Sequence, residues 1–149
     1  MGTVRLPPDF KKFLRLLNAH QVEYLVIGGY AVGYHGYPRA TADMDIWVGT
    51  SGENADRIVA ALQEFGVDAH ELSPAFFRSE RQIVRVGSPP VRIELITTVS
   101  GVGFAECYRE RVVAEMDGVE VSLISLKHLK INKKAVGRHR DLADLENLP

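Results

Sequence analysis

The chain has 149 residues, 46% of them apolar and 25% charged, with a formal net charge of −1. This is the size and make-up of one globular domain with its own core, which excludes a disordered tail and a disulfide scaffold. The charge gives no global pull toward nucleic acid or membrane, and the lone Cys107 excludes an internal disulfide or a multi-cysteine zinc site and fits a cytoplasmic setting.

Pro7-Pro8-Asp9 reads as a helix start with Asp9 as the N-cap. Phe10, Phe13, Leu14 and Leu17 follow at helical spacing and form one apolar face. Tyr24 to Ile27 is a buried-strand pattern, punctuated by Gly28-Gly29. A short helix from Tyr30 to His35 is expected next, stopped before Pro38. Asp43 to Val48 is a second strand, with Met44, Ile46 and Val48 on one face and Asp43, Asp45 and Trp47 on the other. After a loop from Gly49 to Gly52, Ala55 to Phe65 is helical. Gln82 to Val86 and Val91 to Ile96 flank Gly87-Ser-Pro-Pro90, a hairpin pattern. Val112 to Glu115 and Val119 to Leu123 flank Met116-Asp-Gly118, a second one. Ser125 caps a helix that runs to Val136; Gly137 breaks it, and His139 to Leu148 forms the last helix. The interleaving predicts a mixed sheet flanked by helices in a single domain spanning residues 1–149. No apolar run is long enough for a signal peptide or a membrane span. No Walker loop or His-Glu-x-x-His motif occurs, and Gly101-Val-Gly103 reads as a turn.

Aspartate is disfavoured inside strands. Asp43 and Asp45 nevertheless stand one residue apart among apolar neighbours. Carboxylates at i and i+2 share a face about 7 Å apart and repel unless something positive lies between them. Mg²⁺ suits such a pair together with substrate phosphates. The simpler reading of the pair alone is the solvated face of an edge strand. Gly28-Gly29, after a strand and before a helix, lets the backbone approach a triphosphate, with the helix N-terminus facing the anion. Taken alone it is equally a tight turn. Glu94, in Val91 to Ile96, faces opposite to Ile93 and Leu95 and is a third acid for the same metals; its alternative is a surface pair with Arg92. Thr41, with Arg39 just before the acidic strand, is placed to bond a phosphate or orient Asp43, or else is a polar loop residue. Trp47 is open between the core and stacking on a base.

Lys127, Lys130 and Lys134 share a helix face, with Lys133, Arg138 and Arg140 close by. This is either a phosphate clamp or a solvated face near a helix C-terminus. His35 reads as structural. His20, His70, His128 and His139 show no metal-ligand spacing.

Ile27-Gly28-Gly29, thirteen intervening residues and Asp43-Met-Asp45 resemble the signature of the polymerase-beta-type nucleotidyltransferase superfamily. The match is closer to its small bacterial members, the minimal nucleotidyltransferases and the toxins related to abortive-infection systems. Arg92 to Thr97 running into Ser100 to Phe104, and Leu126 to Leu145, support it in the expected order. The resemblance implies an α/β (α+β) nucleotidyltransferase-like fold. It implies that Asp43, Asp45 and Glu94 hold Mg²⁺, with Mn²⁺ as a substitute, and are the catalytic acids. It implies a nucleotide site of Gly28, Gly29, Arg39, Thr41, Lys133 and Arg138, with Asp141 and Asp144 as further matches or as salt-bridge partners. Glu94 stands where this group usually carries Asp.

The function so implied is transfer of a nucleoside monophosphate from NTP to an acceptor, with release of pyrophosphate. The acceptor is an RNA, a protein or a small molecule, and a toxin-antitoxin or abortive-infection setting would add a cognate partner protein. The alternative is a catalytically silent nucleotide-binding or protein-interaction module of the same fold.

Overall fold

The computed structural model describes residues 5–38, 40–67, 72–87 and 92–149. Six strands form one mixed sheet in the order β3-β4-β2-β1-β6-β5. They are β1 (Tyr24–Ile27), β2 (Asp43–Val48), β3 (Ile83–Val86), β4 (Arg92–Ile96), β5 (Val112–Met116) and β6 (Val119–Leu123). The helices among the described residues are α1 (Pro8–Ala19), α2 (Gly28–Tyr34), α3 (Gly52–Phe65), α4 (Pro74–Arg78), α5 (Phe104–Arg109), α6 (Leu126–Val136) and α7 (His139–Asn147).

The predicted strands, both hairpins and the long helices are present, with differences at the ends. Pro7, not Asp9, caps α1, because Pro8 already has helical geometry at the first position and Asp9 falls in the first turn. The helix after β1 begins at Gly28 rather than Tyr30, so the glycine pair is its first turn. Ser51 caps α3 through its hydroxyl, which accepts from the Asn54 N–H, so this helix also starts before Ala55. The short helices α4 and α5 were not expected; five and six residues carry too little periodicity to read. Residues 88–91, within the expected turn and strand start, lie outside the description.

β2 is not an edge strand. It pairs antiparallel with β1 and parallel with β4. Met44, Ile46 and Val48 are buried on one face, and Phe10, Phe13, Leu14 and Leu17 of α1 are fully buried. Ser125 caps α6 as expected, and Gly137 ends it in the left-handed region at φ 69°. No described helix is long and apolar enough to cross a membrane.

Asn54 joins the first two strands to α3. Its amide accepts from the Glu23 N–H at 2.7 Å and donates to the carbonyls of Glu23 at 3.1 Å and Gly49 at 2.7 Å. Asn54 is 1% exposed, so Asn54→Ala leaves these backbone groups without partners. The variant is expected to lose about 2 kcal/mol or more in urea unfolding. An unchanged midpoint would contradict this role.

Candidate active site

The site grows from two strand registers. β1–β2 pairing sets Asp45 opposite Ile27, the residue before Gly28. β2–β4 pairing sets Asp45 opposite Glu94 and Asp43 opposite Arg92. Side chains directly opposite on neighbouring strands share a face, so the three acids face one way. They open into a cleft of about 540 Å³, also lined by Gly28, Gly29, Thr41, Asn132, Lys133, Arg138 and Arg140.

Gly28 has φ +66°, and a Cβ built on it would lie 2.3 Å from Asp45 Oδ2. A side chain at Gly28 and the Asp45 carboxylate therefore exclude each other. A Cβ on Gly29 would lie 2.8 Å from the Thr41 hydroxyl oxygen. That hydroxyl donates to the Asp43 carbonyl at 3.1 Å, so Thr41 ties the start of β2 to the glycine turn. Arg39 lies outside the described residues.

The acids differ in surroundings. Arg92 Nε lies 3.6 Å from Asp43 Oδ1, and Arg85 Nε lies 3.8 Å from Glu94 Oε2. The expected alternative of an Arg92–Glu94 pair is thus replaced by two cross-strand contacts. Burial pushes the Asp45 carboxyl up to about 6; Glu94 and then Asp43 add to the rise, and Lys133 and Arg140 oppose it. Asp45 is therefore a largely buried carboxylate whose acidic neighbours add to the cost of its charge and whose basic neighbours only partly offset it. Carboxylates in that state, beside a backbone stripped of side chain at Gly28, are a donor set suited to a hard divalent cation.

The opposite wall comes from α6 and α7. Lys133 Nζ lies 3.1 Å from Asp141 Oδ1 and 3.0 Å from Asp144 Oδ2, with all three side chains buried. Arg138 Nε donates to Asp141 Oδ2 at 2.7 Å. Burial opposes ionisation of Asp141, but the bonds from Arg138 and Lys133 outweigh it and hold its carboxyl below the usual range. Lys133 thus lines the cleft while locking α7 to α6. Lys127, Lys130 and Lys134 do not line the cleft. Lys127 reaches Glu110, and Lys130 donates to the Pro149 carbonyl, which supports the solvated-face reading for this stripe.

No known protein family matches the sequence, and no curated protein matches it. Solved structures do. A presumed nucleotidyltransferase of Thermotoga maritima aligns over 96% of this chain and 94% of its own, with 16% identity and a TM-score of 0.66. The lincosamide antibiotic adenylyltransferase LnuA, solved with lincomycin bound, aligns over 98% and 97%, with 14% identity and a TM-score of 0.61. An antigenic nucleotidyltransferase-like protein of Paracoccidioides brasiliensis aligns over 95% and 76%, with 17% identity and a TM-score of 0.54. The chain has a nucleotidyltransferase-like fold.

Within this nucleotidyltransferase-like fold, two cleft residues were not singled out from the sequence as site residues. Asn132 is buried and donates to the Ser100 carbonyl at 2.9 Å, fixing α6 to the loop after β4. Arg140, one of the basic residues of the phosphate-clamp reading, is exposed at the cleft and makes no ion pair among the described residues. Trp47 is core: it is 2% exposed, donates to the Thr97 carbonyl at 3.3 Å and packs edge-on against Phe104. His35 is structural, with Nε2 2.7 Å from the Ile124 carbonyl oxygen.

Asp45 binds its proton more tightly folded than unfolded, since its pKa rises from 3.8 to about 6. Its ionisation therefore lowers stability as pH climbs through that window, and the loss persists above it. In metal-free buffer near neutral pH, Asp45→Asn is expected to be more stable than the parent by on the order of 2 kcal/mol. The difference should shrink as the pH falls from about 6 to 4 and be largely gone below that. Equal unfolding curves across the range would contradict the buried, negative environment.

Proposed function

We propose that this chain is a Mg²⁺-dependent nucleotidyltransferase that moves a nucleoside monophosphate from NTP to a hydroxyl acceptor. The observation that carries the reading is the convergence of Asp43, Asp45 and Glu94 on one cleft whose floor is the Gly28-Gly29 turn. Asp43, Asp45 and Glu94 are the residues to hold the cation. When bound, the cation would offset part of the negative charge of the triphosphate and the three acids and polarise the reacting phosphate.

The chain's own residues supply the rest. The glycine turn lets backbone approach the phosphates, as strand-to-helix turns do for anions. Arg140, which makes no ion pair among the described residues, is the cation for the phosphate tail; Arg138 reinforces it while capping α7. Lys133 positions this wall through Asp141 and Asp144 and lends its charge to the cleft. In the reaction the acceptor oxygen bonds to the α-phosphorus and the bond to pyrophosphate breaks. The hydroxyl proton passes to a cleft carboxylate, with Glu94 assigned that role. Such chemistry rests on positioning and electrostatics.

Beside its polar groups the cleft is also lined by Ile83, Ile96, Val99 and Val136. With the basic groups of the cleft serving the NTP phosphates, these apolar residues suit a small, partly apolar hydroxyl compound as acceptor. The likeness to LnuA over nearly the full length of both chains supports that acceptor class.

The test uses each NTP labelled at the α-phosphate with three acceptor sets: small hydroxyl compounds, RNA 3′ ends and proteins. Metal-dependent label transfer to the first set is expected. Asp45→Asn should reduce transfer by about 10²-fold or more. Arg140→Ala should weaken NTP binding by about tenfold, the loss of one charge-assisted contact. Undiminished transfer by Asp45→Asn would overturn the assignment. Transfer to RNA alone would overturn the acceptor class.

A further inference from the structure

A second group of metal-ligating side chains lies outside the cleft. Glu106, in α5, and Glu110, just after it, stand one helical turn apart. The start of α6 brings His128 against both. The ligand atoms of these three residues all lie within 4.8 Å of one another. None of the three lines the cleft.

The distances favour a shared cation over direct contact. His128 Nε2 lies 3.8 Å from Glu106 Oε1 and 3.6 Å from Glu110 Oε2. That is too long for a hydrogen bond. It is near the edge of a tetrahedron, about 3.4 Å for metal-ligand bonds of about 2.1 Å. The imidazole is 3% exposed, so it has no freedom to seek other partners. Its Nδ1 lies 3.0 Å from the Ser125 hydroxyl oxygen, which also accepts from the His128 backbone N–H. With the proton on Nδ1, donated to that oxygen, the Nε2 lone pair faces two carboxylates. Such an arrangement is repulsive without a positive ion between them. A hydrogen bond on the far ring nitrogen is also what fixes metal-ligating histidines. Lys127 approaches Glu110 at its other oxygen, Oε1, at 3.8 Å, leaving Oε2 toward the histidine. The carboxylates are 60% and 47% exposed, so water can complete the coordination.

We propose that Glu106, Glu110 and His128 form a second divalent-cation site, of the nitrogen- and oxygen-binding zinc class, that clamps α5 to the start of α6. One imidazole and two carboxylates match zinc rather than magnesium, which prefers oxygen donors alone. The clamp would steady the helix that carries Asn132 and Lys133 to the cleft. It does not depend on the nucleotidyltransferase reading.

The test is calorimetric titration of Zn²⁺ into Asp43→Asn/Asp45→Asn/Glu94→Gln protein, in which the cleft acids are neutralised. One equivalent of Zn²⁺ is expected to bind and to raise the Tm. Adding Glu106→Gln/Glu110→Gln, exposed and similar in shape, should weaken binding at least tenfold and remove the Tm rise, without lowering the metal-free Tm. Co²⁺ in place of Zn²⁺ should give the visible absorption of a tetrahedral site in the first protein alone. No binding by the first protein would overturn the site. Binding unaffected by the added substitutions would overturn it as well.

Discussion

Asp45 is a carboxylate that the sheet forces into a corner already negative and partly dry. Two independent pairings put it there: β1 fixes its height against Ile27, and β4 places Glu94 opposite. Neither neighbour can move without breaking a ladder that buries Ile46, Leu25 and Leu95. The corner is therefore built by the hydrophobic core, and the core is what makes the acids' mutual repulsion tolerable. Gly28 follows from the same constraint, because any side chain there would occupy the space of the Asp45 carboxylate.

The facing wall solves a different problem. α6 and α7 are short, polar helices with few apolar residues to hold them in place. The attachment of α7 to α6 is ionic: one buried lysine between two buried aspartates, with Arg138 closing the N-terminus of α7. A buried ion pair adds little net stability over an apolar packing but strongly resists loss of either partner. The arrangement fixes the orientation of α7, and with it the direction in which Arg140 faces the cleft. Two oppositely charged walls thus meet across the cleft, the space in which the proposed function seats a cation and a polyphosphate.

Much of this was legible in the sequence because it is local. The Asp43–Val48 alternation, the glycine pair after an apolar run and the two hairpins each lie within a few residues of their cause. What was not legible is what depends on pairing between distant segments. Nothing near Asp43 says that β4 adds alongside β2, so an edge strand stayed open. The stripe of Lys127, Lys130 and Lys134 was visible as a face, but which face of α6 meets the cleft is decided by Asn132 bonding Ser100 far back in the chain. The grouping of Glu106, Glu110 and His128 had no signal in spacing, since it arises only when α5 packs against α6. The fully buried Trp47 shows the same limit: its place on the acidic face left it open, and Phe104 from an unforeseen helix covers it.

The most direct measurement is titration of ATP, GTP, CTP and UTP into the protein by calorimetry, with and without Mg²⁺. Wild type would be compared with Asp43→Asn/Asp45→Asn, which needs no knowledge of the acceptor. The account predicts binding of at least one nucleotide that requires Mg²⁺ and disappears in the double variant while the fold persists. Nucleotide binding that ignores both Mg²⁺ and the two substitutions, or no binding by folded wild-type protein, would contradict it.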